Sequence, residues 1–175
     1  MIQTGDYIIY GSNGVCKVEA IGTVNKEGIP KDKYYYTLIP VYTRGNRIYT
    51  PVDNSKVVIR PVISKEEALS LIDSMVELKV LDISEDRRGE EVIKEVLGKC
   101  DCYETAKIFK SLYVKRQLKA DQGKKQNIRE DKYFNLTKEN LIREMAITMG
   151  VDIQHIEDLL IKSVKKSFTQ FSSAY

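Results

Sequence analysis

The sequence predicts an α+β chain in two parts: a small antiparallel β-barrel, then an all-α helical bundle. Three observations predict it. Before Pro61 the apolar residues come in short runs rich in Tyr, Val and Ile, broken by turn clusters. After Pro61 they recur at helical spacing behind capping residues. The change falls at one short point with no long linker and no internal repeat, which divides the chain at residues 1–61 and 62–171.

Tyr7, Ile8, Ile9 and Tyr10 form the first strand, ended by the turn cluster Gly11-Ser12-Asn13-Gly14. Alternation from Val15 predicts a second strand over 15–24, and residues 25–31, with Gly28 and Pro30, read as a loop. A third strand is expected over 34–41, a hairpin turn at Thr43-Arg44-Gly45-Asn46, a fourth strand over 47–52 and a short fifth over 56–60. Strands this short at this spacing suggest a small barrel.

Ser64 and Glu67 form a capping-box pattern opening the first helix, whose apolar stripe holds Ala68, Leu69 and Ile72. Ser84 is expected to cap a second helix over 85–97, stopped by Gly98. Asp101 and Glu104 open a third. Its core face is Ala106, Phe109, Leu112 and Tyr113, with Lys107, Lys110 and Lys115 turned away. Residues 120–131 read as a loop or frayed end. Thr137 is expected to cap a fourth helix ending at Gly150, Asp152 a fifth over 153–168, and residues 172–175 are expected to form a disordered polar tail.

The hydrophobic fraction of 42% suits two small cores better than one large one. No apolar run approaches the ~20 residues a bilayer requires, and the opening MIQTGDYIIYG lacks a secretion signal, so a cytoplasmic protein is expected. Cys16, Cys100 and Cys102, with His155 as the only histidine, do not make a four-ligand zinc set; structural thiols, no metal and no cofactor are expected. Gly11-Ser12-Asn13-Gly14 lacks the Lys-Ser/Thr of a phosphate loop, and no HExxH, GxSxG or DxDxDG pattern occurs. Paired acids such as Glu66-Glu67 and Glu90-Glu91 read as helix-surface charge. No catalytic residue and no small-molecule substrate is expected.

The net charge of +3 is modest, but residues 107–129 carry eight cations against the single acid Asp121. Such a run either meets phosphate oxygens or solvates a helix surface.

The segment Gly5-Asp6-Tyr7-Ile8-Ile9-Tyr10-Gly11-Ser12-Asn13-Gly14-Val15-Cys16-Lys17-Val18 resembles the opening of the CarD/CdnL family and of the polymerase-binding module of transcription-repair coupling factors, in outline GD-x-V-V-Y-x-x-H-G-x-x-x-V. Tyr34-Tyr35-Tyr36-Thr37-Leu38 and Arg47-Ile48-Tyr49-Thr50-Pro51-Val52 fit the same module in order. Asn13 stands where the family often has His, and Asn suits a turn. The resemblance implies a Tudor-like module that binds the β1 lobe, or protrusion, of the RNA polymerase β subunit, where an exposed strand edge can extend the partner's sheet. It points to Val24 and Asn25 at the end of the second strand and to Arg47 and Tyr49 on the fourth.

In the helical half, Ser84-Glu85-Asp86-Arg87-Arg88 is similar to the family's W-x-R-R segment, and residues 104–112 to a helix of the form A-E-V-V-R-D-L. The resemblance implies contact with promoter DNA at the upstream edge of the bubble, with Arg87, Arg88, Lys94, Lys110, Lys115 and Arg116 as the candidates. The chain has no tryptophan; Glu85 stands where the family's wedge residue does. Tyr103 and Tyr113 are the nearby aromatics, and the helical pattern places both in the core. A regulator without enzymatic or membrane role follows, with two alternatives: a polymerase-bound protein-interaction module, or an operator-binding helix-turn-helix built around Ala146, Gly150 and Ile156.

Overall fold

The computed structural model describes residues 1–43 and 45–172, with the backbone alone for 168–172. Arg44 of the hairpin signal and residues 173–175 of the polar tail lie outside the described residues. The chain divides into two compact units, Met1–Val62 and Ile63–Tyr175.

The first unit is a five-stranded antiparallel sheet: β1 Tyr7–Tyr10, β2 Val15–Gly22, β3 Tyr35–Pro40, β4 Ile48–Pro51 and β5 Ile59–Pro61, in the order β4-β3-β2-β1-β5. Gly14 makes the tight β1–β2 connection possible: at φ +67 it takes a backbone that side chains disfavour, and its carbonyl accepts the Tyr10 N–H at 2.9 Å. Ile8, Cys16, Val18 and Leu38 form the core on one face, fully buried, with Tyr10, Tyr36, Ile48 and Ile59 around them. Burial in this apolar setting pushes the Cys16 thiol up to about 11, so Cys16 packs as a small hydrophobe.

The sheet is not closed, which corrects the expected barrel. Its edge strands β4 and β5 have four and three residues and each ends in proline. Edges so short, with one donor missing from each, offer too few ladder groups to join.

The second unit holds α1 Lys65–Ser74, α2 Arg87–Lys99, α3 Cys102–Asp121, α4 Ile128–Met149 and α5 Ile153–Ser172. The capping box at α1 forms in full: the Glu67 N–H donates to Ser64 Oγ at 3.1 Å and the Ser64 N–H to the Glu67 carboxylate at 2.7 Å. The Ile63 N–H donates to Glu144 of α4, and Thr148 Oγ1 to the Ile63 carbonyl, fixing the entry to α1. Phe109 of α3 stacks on Phe134 of α4 at 5.3 Å, in a core that also holds Met75, Leu112, Met145, Ile156 and Leu160.

Three expected boundaries move, each because a better cap wins. Asp86, not Ser84, caps α2: its carboxylate accepts the Arg88 and Gly89 N–H groups, and Ser84 donates its hydroxyl to Asp86 instead. Gly98 lies within α2, and Cys100 takes the left-handed C-terminal position at φ +53. Thr137 lies buried inside α4, its hydroxyl donating to the Tyr133 and Phe134 carbonyls. The true cap is Asn127, which accepts the Arg129 N–H at 2.9 Å, so the connection shrinks to 122–127.

Between α1 and α2 runs an irregular segment with no helix or strand of its own. Side chains of α3 satisfy its backbone. Lys110 Nζ donates to the Val76 and Leu78 carbonyls, each at 2.8 Å; Ser111 Oγ accepts the Leu81 N–H; Lys115 Nζ donates to the Ile83 carbonyl. Among the described residues no helix is long and apolar enough to cross a membrane.

Candidate functional site

Among the described residues, the β4 edge of the first unit and the outer faces of α2 and α4 in the second present groups with unmet bonding capacity.

At the β4 edge, the Val52 N–H bonds the Tyr34 carbonyl at 3.0 Å, in register with Tyr36↔Thr50 and Leu38↔Ile48. Antiparallel ladders alternate, so Ile48 and Thr50 bond β3 while the N–H and C=O of Tyr49 turn outward. Pro51 has no N–H, and its carbonyl takes the Asn54 N–H. Tyr49 therefore supplies the free donor and acceptor of this edge.

The side chains around it are anchored. The β2–β3 register shifts between Val18 and Ala20, a bulge at Glu19. That carboxylate takes Arg47 in a two-point ion pair, with Nη2 at 2.7 Å from Oε1, and Arg47 holds it below the usual carboxylate range. Arg47 thus sits just before β4, exposed and paired. Lys26 lies over the half-buried Tyr49 ring at 4.9 Å. The second strand ends at Gly22, so Val24 and the exposed Asn25 fall in the following loop rather than on the strand as expected.

In the second unit, Arg87 and Arg88 open α2. Arg87 is 90% exposed and reaches Glu91 at 3.0 Å; Arg88 is exposed and forms no ion pair among the described residues. Lys94, two turns on, meets Glu90 at 2.7 Å. Beside them α4 brings Arg129 and Lys132, so that one surface groove is lined by Arg87, Lys94, Arg129 and Lys132 together with Glu90, Glu91 and Tyr133. Tyr133 Oη donates to Glu90 at 2.7 Å; Lys94 and Tyr133 together hold the Glu90 carboxyl down at about 2.

The basic run of 107–129 is largely used up inside the unit. Lys107 pairs with Glu104; Lys115 and Lys119 share Glu130 and Glu85; Arg116 pairs with Asp131 and lies over the Phe134 ring. Lys110 is fully buried, and desolvation lowers its pKa. These placements correct two expectations. Lys110 and Lys115 do not turn away from the fold: Lys110 cannot meet DNA, and Lys115 and Arg116 are committed to carboxylates. Tyr113 is buried as expected, but Tyr103 is 48% exposed, with Lys107 over its ring at 4.7 Å.

Glu85 meets Lys119 at 2.9 Å and Lys115 at 3.5 Å, and those ammonium groups hold its carboxyl low. It fastens the start of α2 to α3. At the α4–α5 corner, Gly150 takes the left-handed conformation, Ala146 and Ile156 are buried, and Glu157 of α5 pairs with Lys138 at 2.6 Å. Packing accounts for Ala146 and Ile156, and the left-handed turn for Gly150. Among the described residues no group of three or more His, Cys, Asp or Glu side chains is placed to hold a metal ion.

Arg129 and Lys132 were not singled out as site residues from the sequence. The cap at Asn127 was the available signal: a helix starting there puts them one turn apart on one face.

The family model described as CarD-like/TRCF RID domain matches residues 2–63, the whole of the open sheet. No curated protein matches the chain.

Proposed function

From the premise that residues 2–63 are a CarD-like/TRCF RID domain, an RNA polymerase-interacting and transcription-related module, we propose that this protein is a non-enzymatic regulator that docks on the β subunit of bacterial RNA polymerase and steadies the promoter open complex. The observation that carries the docking half is the free main-chain edge at Tyr49, inside the matched region. A strand of the β1 lobe would pair there, adding to the sheet through the outward N–H and C=O. The Glu19–Arg47 pair and the Lys26–Tyr49 stack hold the edge and its flanks in shape for that pairing.

The second unit then meets DNA through Arg87, Arg88 and Lys94, which lie on one exposed helix and suit phosphates rather than bases. Contacts of this kind supply no sequence code. Their role is to favour the open over the closed state when polymerase holds both partners together. Glu85 is already bound to two lysines, so no side chain at that position wedges into the minor groove.

A second reading is favoured by one observation. Five of the eight cations in 107–129 are occupied inside the unit: Lys107, Lys110, Lys115, Arg116 and Lys119. A unit so neutralised could contact protein instead of DNA. Binding of the full chain to purified polymerase β subunit tests docking, with loss in Tyr49→Pro as the expected result. Open-complex lifetime then separates the two readings, since protein contact alone leaves it unchanged.

A further inference from the structure

The groove between α2 and α4 holds two carboxylates that the reading above leaves without a role. Its four cations come from two helices, Arg87 and Lys94 from α2 and Arg129 and Lys132 from α4. The α2 pair is neutralised within its own helix, by Glu91 at 3.0 Å and Glu90 at 2.7 Å. The α4 pair is held more loosely: among the described residues neither Arg129 nor Lys132 forms an ion pair, Arg129 acts on Glu90 only at longer range, Lys132 lies 5.8 Å over the Tyr133 ring, and both are exposed. Four cations less two carboxylates leave +2, all of it on the α4 side.

We propose that this groove is a DNA-backbone site in which Arg129 and Lys132 supply the first phosphate contacts, while Glu91 and Glu90 act as built-in counter-ions that hold Arg87 and Lys94 until a phosphate displaces them. The proposal rests on the DNA reading of α2 and adds its other wall. The two carboxylates differ in grip. Glu90 is held by Tyr133 Oη as well as by Lys94, whereas Glu91 is 61% exposed and binds Arg87 alone. Glu91 is the one a phosphate displaces more easily. An exchange of one anion for another gains little at free-solution DNA concentrations. It becomes favourable when polymerase tethers the groove beside the duplex, because the effective concentration is then high. Free duplex is therefore held weakly, and binding is reserved for the promoter complex.

The test is binding of the full chain to a short labelled duplex, by fluorescence anisotropy across a salt series. Glu91→Gln is expected to tighten binding about two- to fivefold, the range an exposed ion pair commands. Arg129→Ala and Lys132→Ala each loosen it and flatten the log–log salt slope by about 0.9. In an Arg87→Ala background the gain from Glu91→Gln disappears. A gain that persists there would be bulk charge and would overturn the counter-ion role. So would an unchanged affinity in Glu91→Gln, and wild-type binding by Arg129→Ala and Lys132→Ala would overturn the α4 contacts. If those results come while Arg87→Ala and Arg88→Ala still weaken binding, the groove proposal falls and the α2 reading stands. If all four alanine variants bind as wild type, both fall. All the replaced side chains are exposed, and an unchanged circular dichroism spectrum verifies the fold.

Discussion

Lys110 separates charge from exposure. Its ammonium lies in the interior against the carbonyls of Val76 and Leu78, and it holds an irregular segment to α3. Removing it leaves two buried acceptors unpaired and opens a cavity. Lys110→Ala should cost about 2–4 kcal/mol in urea unfolding, while Arg88→Ala, at an exposed site without an ion pair, should stay within about 0.5 kcal/mol. Glu90 gives a pH signature. Its folded pKa, about 2, lies below its ordinary value of 4.5 because Lys94 and Tyr133 favour the carboxylate. The folded state therefore binds fewer protons than the unfolded one between those values, and stability falls as pH falls through that window. In Glu90→Gln the loss of stability between pH 4.5 and pH 2 should be shallower, which acid titration of the thermal midpoint measures. Single residues were the least legible scale. Lys110 lies next to the core face of Ala106, Phe109, Leu112 and Tyr113, and its charge argued for the surface. Only the segment it anchors, 34 residues away in sequence, explains its burial.

Elements were more legible, because caps and turns act locally. The Ser64–Glu67 box, the Gly14 turn and the Gly150 stop all do in the structure what their chemistry predicts. Boundaries moved where two caps competed within a few residues, as at Ser84 and Asp86, since the charged Asp86 carboxylate accepts the Arg88 and Gly89 N–H groups and the Ser84 hydroxyl as well. Whether the sheet closed was not legible at all: closure depends on the meeting of β4 and β5, which no local pattern encodes. Gly89 illustrates how firmly the α2 start is set. A Cβ there would collide with the Ser84 carbonyl oxygen. Gly89→Ala should therefore displace the segment carrying Glu85 and destabilise the fold by at least about 1 kcal/mol, against the gain Ala normally brings to a helix. At the other edge, Tyr49→Pro removes the one outward N–H of β4 and leaves the β3 ladder intact. Binding to polymerase β subunit should weaken at least about tenfold with the sheet's circular dichroism unchanged, the energy of one or two hydrogen bonds.

At the scale of the whole molecule, the two-part organisation could be read from the change of period at Pro61, and the polymerase-interacting character of the first unit from ordered motifs between Gly5 and Val52, the stretch that the domain match covers. The charged surface of the second unit could not be read so well, because a run of cations in sequence does not say which of them fold back onto carboxylates. Of the run, Lys124, Lys125 and Arg129 stay outside those pairs and the buried core, and Arg129 joins Arg87, Lys94 and Lys132 in the groove of α2 and α4. On the proposed reading, stabilising the open state raises initiation where the bubble collapses quickly and lowers it where escape is limiting, which makes the sign of regulation promoter-dependent. The most direct measurement is the lifetime of the polymerase open complex on a promoter with an unstable bubble, with and without saturating protein. The lifetime should lengthen, by less with Arg87→Ala/Arg88→Ala, and with Tyr49→Pro the lengthening should need about tenfold more protein. An unchanged lifetime with wild-type protein bound to polymerase would contradict the proposed action on DNA.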